Sequence, residues 1–359
     1  MNIAIDARCL HGVKSGIYRY TYIILDELQK IDKNNNYFLF AKNKTNFKIN
    51  NPNWKEIIKG KFILGVLWTH TVLPWLIFLY DIDVFWSPHY ICPLFKRKKT
   101  KFITTIHDLT FFKYPSTMNS LYKMVVSFLI NFSIKYSSFL CVVSNKIKQE
   151  LIEKYPYLSL KKISIVYNSS PNWKIPDNYS FNLRQNFLFF PANLEPRKNL
   201  INLLKALAIL KKKGHIIKLH ISSPAMWKSK NIFQFINQEN LTNQIIFCGF
   251  LSENELIQKY LTCKAVVYPS IYEGFGIPVL EGLKMDCIVL TSKNTAMEEI
   301  AGKYAIYFDP KDPVDIAEKV LDTINGKYDN IRIQDNKQQW LEKYSSEKSA
   351  KIMLDLFIE

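Results

Sequence analysis

Residues 263–287 read "CKAVVYPSIYEGFGIPVLEGLKMDC". The run from Ala265 to Tyr268 is short, apolar and β-branched, which predicts a buried strand. Pro269 and Ser270 end it, so Glu273, Gly274, Phe275 and Gly276 form the loop at its carboxyl end. Pro278 then fits the first turn of a helix, where its missing N–H costs nothing. A helix start leaves several N–H groups without partners and carries partial positive charge, and the glycines let an anion come close to the backbone. This is a seat for a phosphate. Glu281 lies one turn into the helix, four residues after Ile277, and its carboxylate reaches toward the same place as Glu273. Carboxylates so near a phosphate would repel it unless they addressed neutral hydroxyls. A ribose and a hexose supply hydroxyls on both sides of a diphosphate, so a nucleotide-sugar satisfies all three features. Taken alone, the stretch also fits two surface glutamates beside an ordinary loop.

The same strand-then-helix grammar extends over most of the chain and predicts an α/β fold with parallel sheets covered on both faces. In the first half, strands are expected at Asn2–Asp6, Tyr37–Ala41, Val84–Trp86, Lys101–Ile106, Phe139–Val143 and Ile163–Val166. Helices are expected between them at 16–31, 69–80, 117–136 and 145–154. The second half repeats the scheme with strands at Phe187–Phe190, Ile217–Ser222, Ile245–Cys248, Ala265–Tyr268, Cys287–Leu290 and Ala305–Phe308. Between the halves, residues 168–182, "NSSPNWKIPDNYSFN", lack periodicity and read as a linker. The expected division is a domain over 1–170, a linker over 171–182, a second domain over 183–335 and a terminal helix over 336–359. Both domains are doubly wound and Rossmann-like, and a ligand is expected where the carboxyl ends of their sheets face each other across a cleft.

Composition limits the function. The 359 residues carry 48 Lys and Arg against 31 Asp and Glu, a net +17, which points to an anionic partner. A nucleic acid is a poor fit, because the aromatics sit in apolar runs and are not interleaved with the basic cluster "FKRKKTK" at 95–101. That cluster is either a solvated loop or a membrane-surface contact. Six scattered cysteines without a C-x-x-C read as buried, reduced thiols. The N-terminus enters a strand at once, with no secretory pattern, so a cytoplasmic location is expected. The apolar run at 62–80, "FILGVLWTHTVLPWLIFLY", is broken by Gly65, His70 and Pro74. It reads as a helix packed in the core or resting on a bilayer. No P-loop or clean G-x-G-x-x-G follows the first strand, which disfavours an ATPase or a nicotinamide enzyme.

A second cluster strengthens the first. Residues 190–207, "FPANLEPRKNLINLLKAL", place Arg197 and Lys198 after the opening strand of the second domain, at the start of another helix. Two cations beside a helix N-terminus suit a leaving diphosphate, whose charge grows as a glycosidic bond breaks.

"LEPRKNL" together with "PSIYEGFGIPVLEGL" resembles the retaining GT-B glycosyltransferases of family 4, whose signature is Glu, seven residues, Glu. The likeness covers nearly the whole chain: "IAIDARCLHGVKSGIYRYTYIIL", "TTIHDLTFFKYP", "VVSNKIKQEL" and "FCGFLSENELIQKYLTCKAVVYPS" are all similar to family segments. "IDARCL", "SGIYRYT" and "IHDLTFFKYP" together are most similar to the mannosyltransferase B-like group that builds surface polysaccharides. The resemblance implies that His107 contacts the transferred sugar and stabilises charge at its anomeric carbon, with Asp108 orienting the loop. It implies that Gly16 lets backbone approach the diphosphate, which Arg197 and Lys198 hold. Glu273 then binds sugar hydroxyls, the amides around Gly274, Phe275, Gly276 and Ile277 bind sugar and phosphate, Glu281 binds the ribose, and Gly249 and Phe250 flank the base. The terminal run at 338–359 crosses back to the first domain in the resembled family.

The expected reaction is retaining transfer of a hexose, mannose favoured, from GDP-mannose or a UDP-hexose to a hydroxyl of a lipid-linked saccharide. No cofactor and no metal are expected. The acids Asp81 and Asp83 resemble a metal-binding pair only superficially, because they precede a strand far from the glutamate loop. His11 and His89 are candidate acceptor contacts, as is Asp108. The competing readings are an α-glucan synthase or a nucleotide-sugar epimerase on the same fold, and a catalytically silent nucleotide-sugar binder. Three departures bear on specificity: Pro191, Ala192 and Asn193 stand where the family often has glycine, "EGLKMDCIVLT" lacks the usual Ala-Gly, and "VYNSS" replaces a Pro-Asn-Gly turn.

Overall fold

The computed structural model describes residues 1–12, 15–95, 97–113, 120–158, 160–176, 179–180, 184–223, 230–333 and 335–359. Lys96, the expected helix start at 117–119 and linker residues 177, 178, 181 and 182 lie outside the described residues. The chain divides into two compact units, Met1–Ser169 with Tyr344–Glu359, and Ser170–Lys343.

In the first unit the strands are β1 (Asn2–Asp6), β2 (Asn36–Ala41), β3 (Trp54–Ile58), β4 (Val84–Ser87), β5 (Lys101–Ile106), β6 (Phe139–Val142) and β7 (Ile163–Ile165). Among the described residues they form one sheet in the order β3-β2-β1-β4-β5-β6-β7, and every pairing is parallel. The helices are α1 (Gly16–Ile31), α2 (Gly65–Leu79), α3 (Thr110–Lys113), α4 (Ser120–Tyr136) and α5 (Asn145–Lys154). A parallel sheet is covered on both faces, so its central strands are apolar without alternation. Ile3, Ala4 and Ile5 of β1 are accordingly all buried. The strand order reverses between β1 and β4, and the loops after their carboxyl ends flank the place where such sheets bind ligands.

The second unit holds β8 (Gln185–Phe190), β9 (Lys218–Ile221), β10 (Ile245–Phe247), β11 (Cys263–Tyr268), β12 (Ile288–Ser292) and β13 (Ile306–Phe308). Their order among the described residues is β10-β9-β8-β11-β12-β13, again all parallel. The reversal here falls between β8 and β11. These are the strands that lead into "LEPRKNL" and "YEGFG". The helices are α6 (Leu200–Lys212), α7 (Lys230–Gln238), α8 (Glu253–Thr262), α9 (Ile277–Lys284), α10 (Ala296–Ala301), α11 (Pro313–Ile324) and α12 (Lys337–Glu342).

The segment expected as one terminal helix over 336–359 is two. α12 belongs to the second unit, the chain re-enters the first at Tyr344, and α13 (Ser346–Ile358) packs there. Phe357 is fully buried, with its ring centroid 6.3 Å from that of Tyr37 and 6.1 Å from that of Trp86. Lys101 Nζ donates to the carbonyls of Leu356 and Phe357 at 3.3 and 3.1 Å, satisfying acceptors that the helix end leaves open. Among the described residues no helix is long and apolar enough to cross a membrane.

Candidate functional site

In the second unit the loop after β8 begins a short 3-10 turn, Pro196–Lys198, and Asn199 then starts α6 from a left-handed conformation, φ 61°. Asparagine tolerates that region because its side chain can bond locally. Here the buried Asn199 amide donates to the carbonyls of Pro269 and Pro310 at 3.0 and 2.6 Å. The carbonyl of Arg197 accepts from the Ile271 N–H at 2.9 Å and lies 3.0 Å from Ser270 Oγ. The loops after β8 and β11 are therefore strapped together at the switch point.

That strapping brings Arg197, Lys198 and Glu273 into one cluster. Glu273 Oε1 accepts from Lys198 Nζ at 2.6 Å, from Ser270 Oγ at 2.6 Å and from the Tyr268 hydroxyl at 3.2 Å. Its Oε2 lies 2.9 Å from an Arg197 terminal nitrogen. Lys198 Nζ also donates to the Tyr268 hydroxyl at 2.6 Å, and Arg197 Nε donates to Glu195 at 2.8 Å. Burial alone would raise the Glu273 carboxyl, but Lys198 and then Arg197 outweigh it and hold the pKa at about 2. Glu273 is thus a fixed anion at neutral pH, an acceptor of hydrogen bonds and not a proton donor.

The sign of the pH dependence follows. A carboxyl held below its ordinary 4.5 contributes stability that is full above pH 4.5 and is lost as pH falls toward 2. That contribution is about 3 kcal/mol for the second unit. Urea unfolding of wild type against Glu273→Gln across this window should show the difference closing as the acid limit is reached. A gap that persists unchanged to pH 2 contradicts the assignment.

α9 starts immediately after Gly276, whose φ of 102° is a left-handed value that L side chains avoid. A Cβ there would also lie 2.6 Å from Met297 Cγ, so the glycine is required by both backbone and space. Pro278 stands in the first turn, where the missing N–H is harmless, and the N–H groups of Val279 and Leu280 bond to the Gly276 carbonyl at 2.9 and 3.3 Å. Glu281, one turn on, is buried, with Oε2 accepting from the Tyr260 hydroxyl at 2.7 Å. Gly249, φ 71°, and the exposed Phe250 follow β10, two strands from β8 at the sheet's edge.

In the first unit His107 follows β5 and is buried. Its Nε2 bonds to the Pro88 carbonyl at 2.7 Å. A carbonyl only accepts, so Nε2 carries the proton and Nδ1 is the ring's acceptor. Burial lowers the His107 pKa to about 4 against the opposing effect of Pro88, which keeps the ring neutral at pH 7. Asp108 Oδ1 accepts from the Thr110 N–H at 2.9 Å, a local bond to the first residue of α3. His89 follows β4; burial lowers its pKa, and its Nε2 is buried without a hydrogen-bond partner among the described residues. His11 is exposed, with Nδ1 2.9 Å from the Lys44 carbonyl. Gly16 is the first residue of α1 behind the Ser15 cap. The left-handed glycine of this loop is Gly12, φ 81°, which the sequence did not single out.

Asp81 and Asp83 have structural partners. Asp81 pairs with Arg97, and Asp83 Oδ2 accepts from the Asn2 N–H at 2.8 Å, at the amino end of the sheet. Sequence reasoning missed Tyr268, Ser270 and Tyr260 as partners of the two glutamates. The hydroxyl-bearing residues at the end of β11 were the available signal.

Two doubly wound parallel units with a charged cluster at a switch point define a GT-B protein, and the comparisons agree. Residues 16–169 match the family model described as Glycosyltransferase Family 4, and residues 171–340 match that described as Glycosyl transferases group 1. The chain is similar to O-antigen chain mannosyltransferase B of Escherichia coli, 24% identical over 70% of this chain and 67% of that one. It is also similar to O-antigen chain mannosyltransferase RfbU of Salmonella typhimurium, 27% identical over 63% of this chain and 60% of that one. Among solved structures, Anabaena Alr3699/HepE in complex with UDP and glucose superposes with a TM-score of 0.71 at 15% identity, over 100% of this chain and 99% of that one. This chain belongs to the GT-B glycosyltransferases.

Proposed function

We propose that the protein transfers a hexose, mannose first among them, from a nucleoside-diphosphate sugar to a hydroxyl of a growing O-antigen or similar lipid-linked surface saccharide. The transfer retains anomeric configuration and needs no metal. One observation carries the reading: Arg197, Lys198 and Glu273 share one cluster at the β8/β11 switch point.

Lys198 Nζ has three hydrogens and donates to two acceptors, the Tyr268 hydroxyl and Glu273, so a donor remains for a phosphate oxygen. Arg197 and Lys198 meet the charge that grows on the leaving diphosphate, in a setting too dry to screen it. Glu273, fixed as an anion, accepts from sugar hydroxyls, and Glu281 serves the ribose. His107 is proposed to contact the transferred sugar; a neutral ring there adds no repulsion to an oxocarbenium-like centre. Mannose is favoured because the relatives named above are O-antigen mannosyltransferases. UDP-hexoses are the second choice, since a structural relative was solved with UDP and glucose.

Incubation with GDP-mannose or UDP-glucose and a lipid-linked saccharide, in excess chelator, should give a glycoside with the donor's anomeric configuration by NMR. An inverted product contradicts the mechanism. An epimerised free donor, a lengthening α-glucan or binding without turnover each replaces the reading with one of its competitors.

A further inference from the structure

α2 is a helix with apolar side chains all round. Its 15 residues, Gly65–Leu79, include no charged side chain. One face, Trp68, Leu73, Leu76 and Ile77, closes on the core beneath the sheet. The opposite face meets solvent: Leu67 and Trp75 are half exposed and Phe78 is 72% exposed, with Leu64 and the 93% exposed Phe62 just before the helix. A helix of this kind is normally covered on every side. α4 packs on the same core cluster through Phe132, one turn from Phe128, which is itself 62% exposed. Large apolar side chains exposed in such number on one helix mark an interaction site.

Its rim is cationic at both ends. Lys59 and Lys61 precede the patch and Lys98 and Lys99 follow it, all exposed. The Arg97 guanidinium lies 5.8 Å from the centroid of the Phe78 ring and pairs with Asp81. Among the described residues α2 is the only helix without a charged side chain, and it is bracketed by lysines that make no ion pair there. We infer that this face of the first unit, α2 with Phe62, docks on an anionic phospholipid surface. A second copy is the poorer occupant, because a two-fold contact would set one lysine rim against another in a chain of net +17. At about 1.5 Å per residue α2 is too short to cross a hydrocarbon core of roughly 30 Å, so it lies in the headgroup boundary with its apolar face down.

The position of the patch ties it to the strand ends. Arg8, which follows β1, forks onto Asp6 at 2.8 and 2.5 Å and donates to the Gly65 carbonyl at 2.8 Å. Its guanidinium carbon also lies 4.6 Å from the Trp68 ring centroid. The start of α2 is thus held at the carboxyl end of the sheet, so a bilayer beneath it lies beside the loops after β1 and β4.

The test is flotation of the full chain with vesicles of phosphatidylcholine alone or mixed with phosphatidylglycerol, with no sugar in the assay, so its result is independent of the transfer reading. The mixed vesicles should carry the protein and the neutral ones should not. Lys98→Gln with Lys99→Gln should weaken partition roughly 30-fold. Trp75→Ser with Phe78→Ser should weaken it at least about tenfold while unfolding by urea remains cooperative. The lysine variant keeps the test decisive should the apolar one not fold. Absence of flotation at low salt overturns the inference, as does flotation indifferent to both variants. A wild-type dimer in light scattering that the Trp75 and Phe78 substitutions dissolve assigns the face to a second copy and overturns it as well.

Discussion

Lys198→Ala is expected to lower transfer at least about a hundredfold while the second unit stays folded. The ammonium is almost buried and is fixed on two oxygens, the Tyr268 hydroxyl and Glu273 Oε1, both at 2.6 Å. It is preorganised, so no reorganisation cost falls at the moment the diphosphate leaves, and its charge acts where water is largely excluded. A donor of this type typically contributes about 3 kcal/mol to the transition state. The fold tolerates the loss because Arg197 still pairs with Glu273 at 2.9 Å and Ser270 still donates at 2.6 Å. The signature is a fall in kcat larger than any rise in KM, with wild-type cooperativity of unfolding. A soluble variant with undiminished kcat removes Lys198 from the chemistry.

Glu273→Ala is expected to act first on stability. It leaves Arg197 and Lys198 as like charges within one small, mostly buried site with only the half-exposed Glu195 in reserve. Removing one partner of a buried ion pair typically costs about 3–5 kcal/mol, since the remaining charge is stranded. A nucleoside diphosphate brings anionic oxygens to the same two cations. GDP or UDP should therefore raise the melting temperature of Glu273→Ala more than that of wild type, even though the variant lacks a sugar contact and transfers poorly. Equal shifts in the two proteins would show that the nucleotide does not reach these cations.

The buried strands were easy to read because parallel strands under two helical layers need apolar side chains on both faces, as in "NIAID" and "CKAVVY". β3, "WKEII", escaped notice because it is an edge strand with a half-buried, charged alternation. The terminal segment looked like one helix, since periodicity continues through Tyr344, but the backbone breaks there between α12 and α13. At the site, charged residues after strand ends are visible in a sequence because few other positions tolerate them. Their partners are not. Tyr260 reaches Glu281 from another helix, 21 positions away. Asn199 fixes two loops from a left-handed turn that no periodicity announces. The apolar run at 62–80 was legible as composition, but which of its side chains face outward is decided by packing against β-strands elsewhere in the chain.

The central claim is that the strapped loops after β8 and β11 form the seat of a nucleoside diphosphate. Calorimetric titration of GDP and UDP into the wild-type chain and into Lys198→Ala tests it most directly. One of the two nucleotides should bind wild type at a single site, with affinity reduced at least about tenfold in the variant, the equivalent of about 1.4 kcal/mol. Identical affinities in the two proteins, or no binding of either nucleotide to wild type, would contradict it.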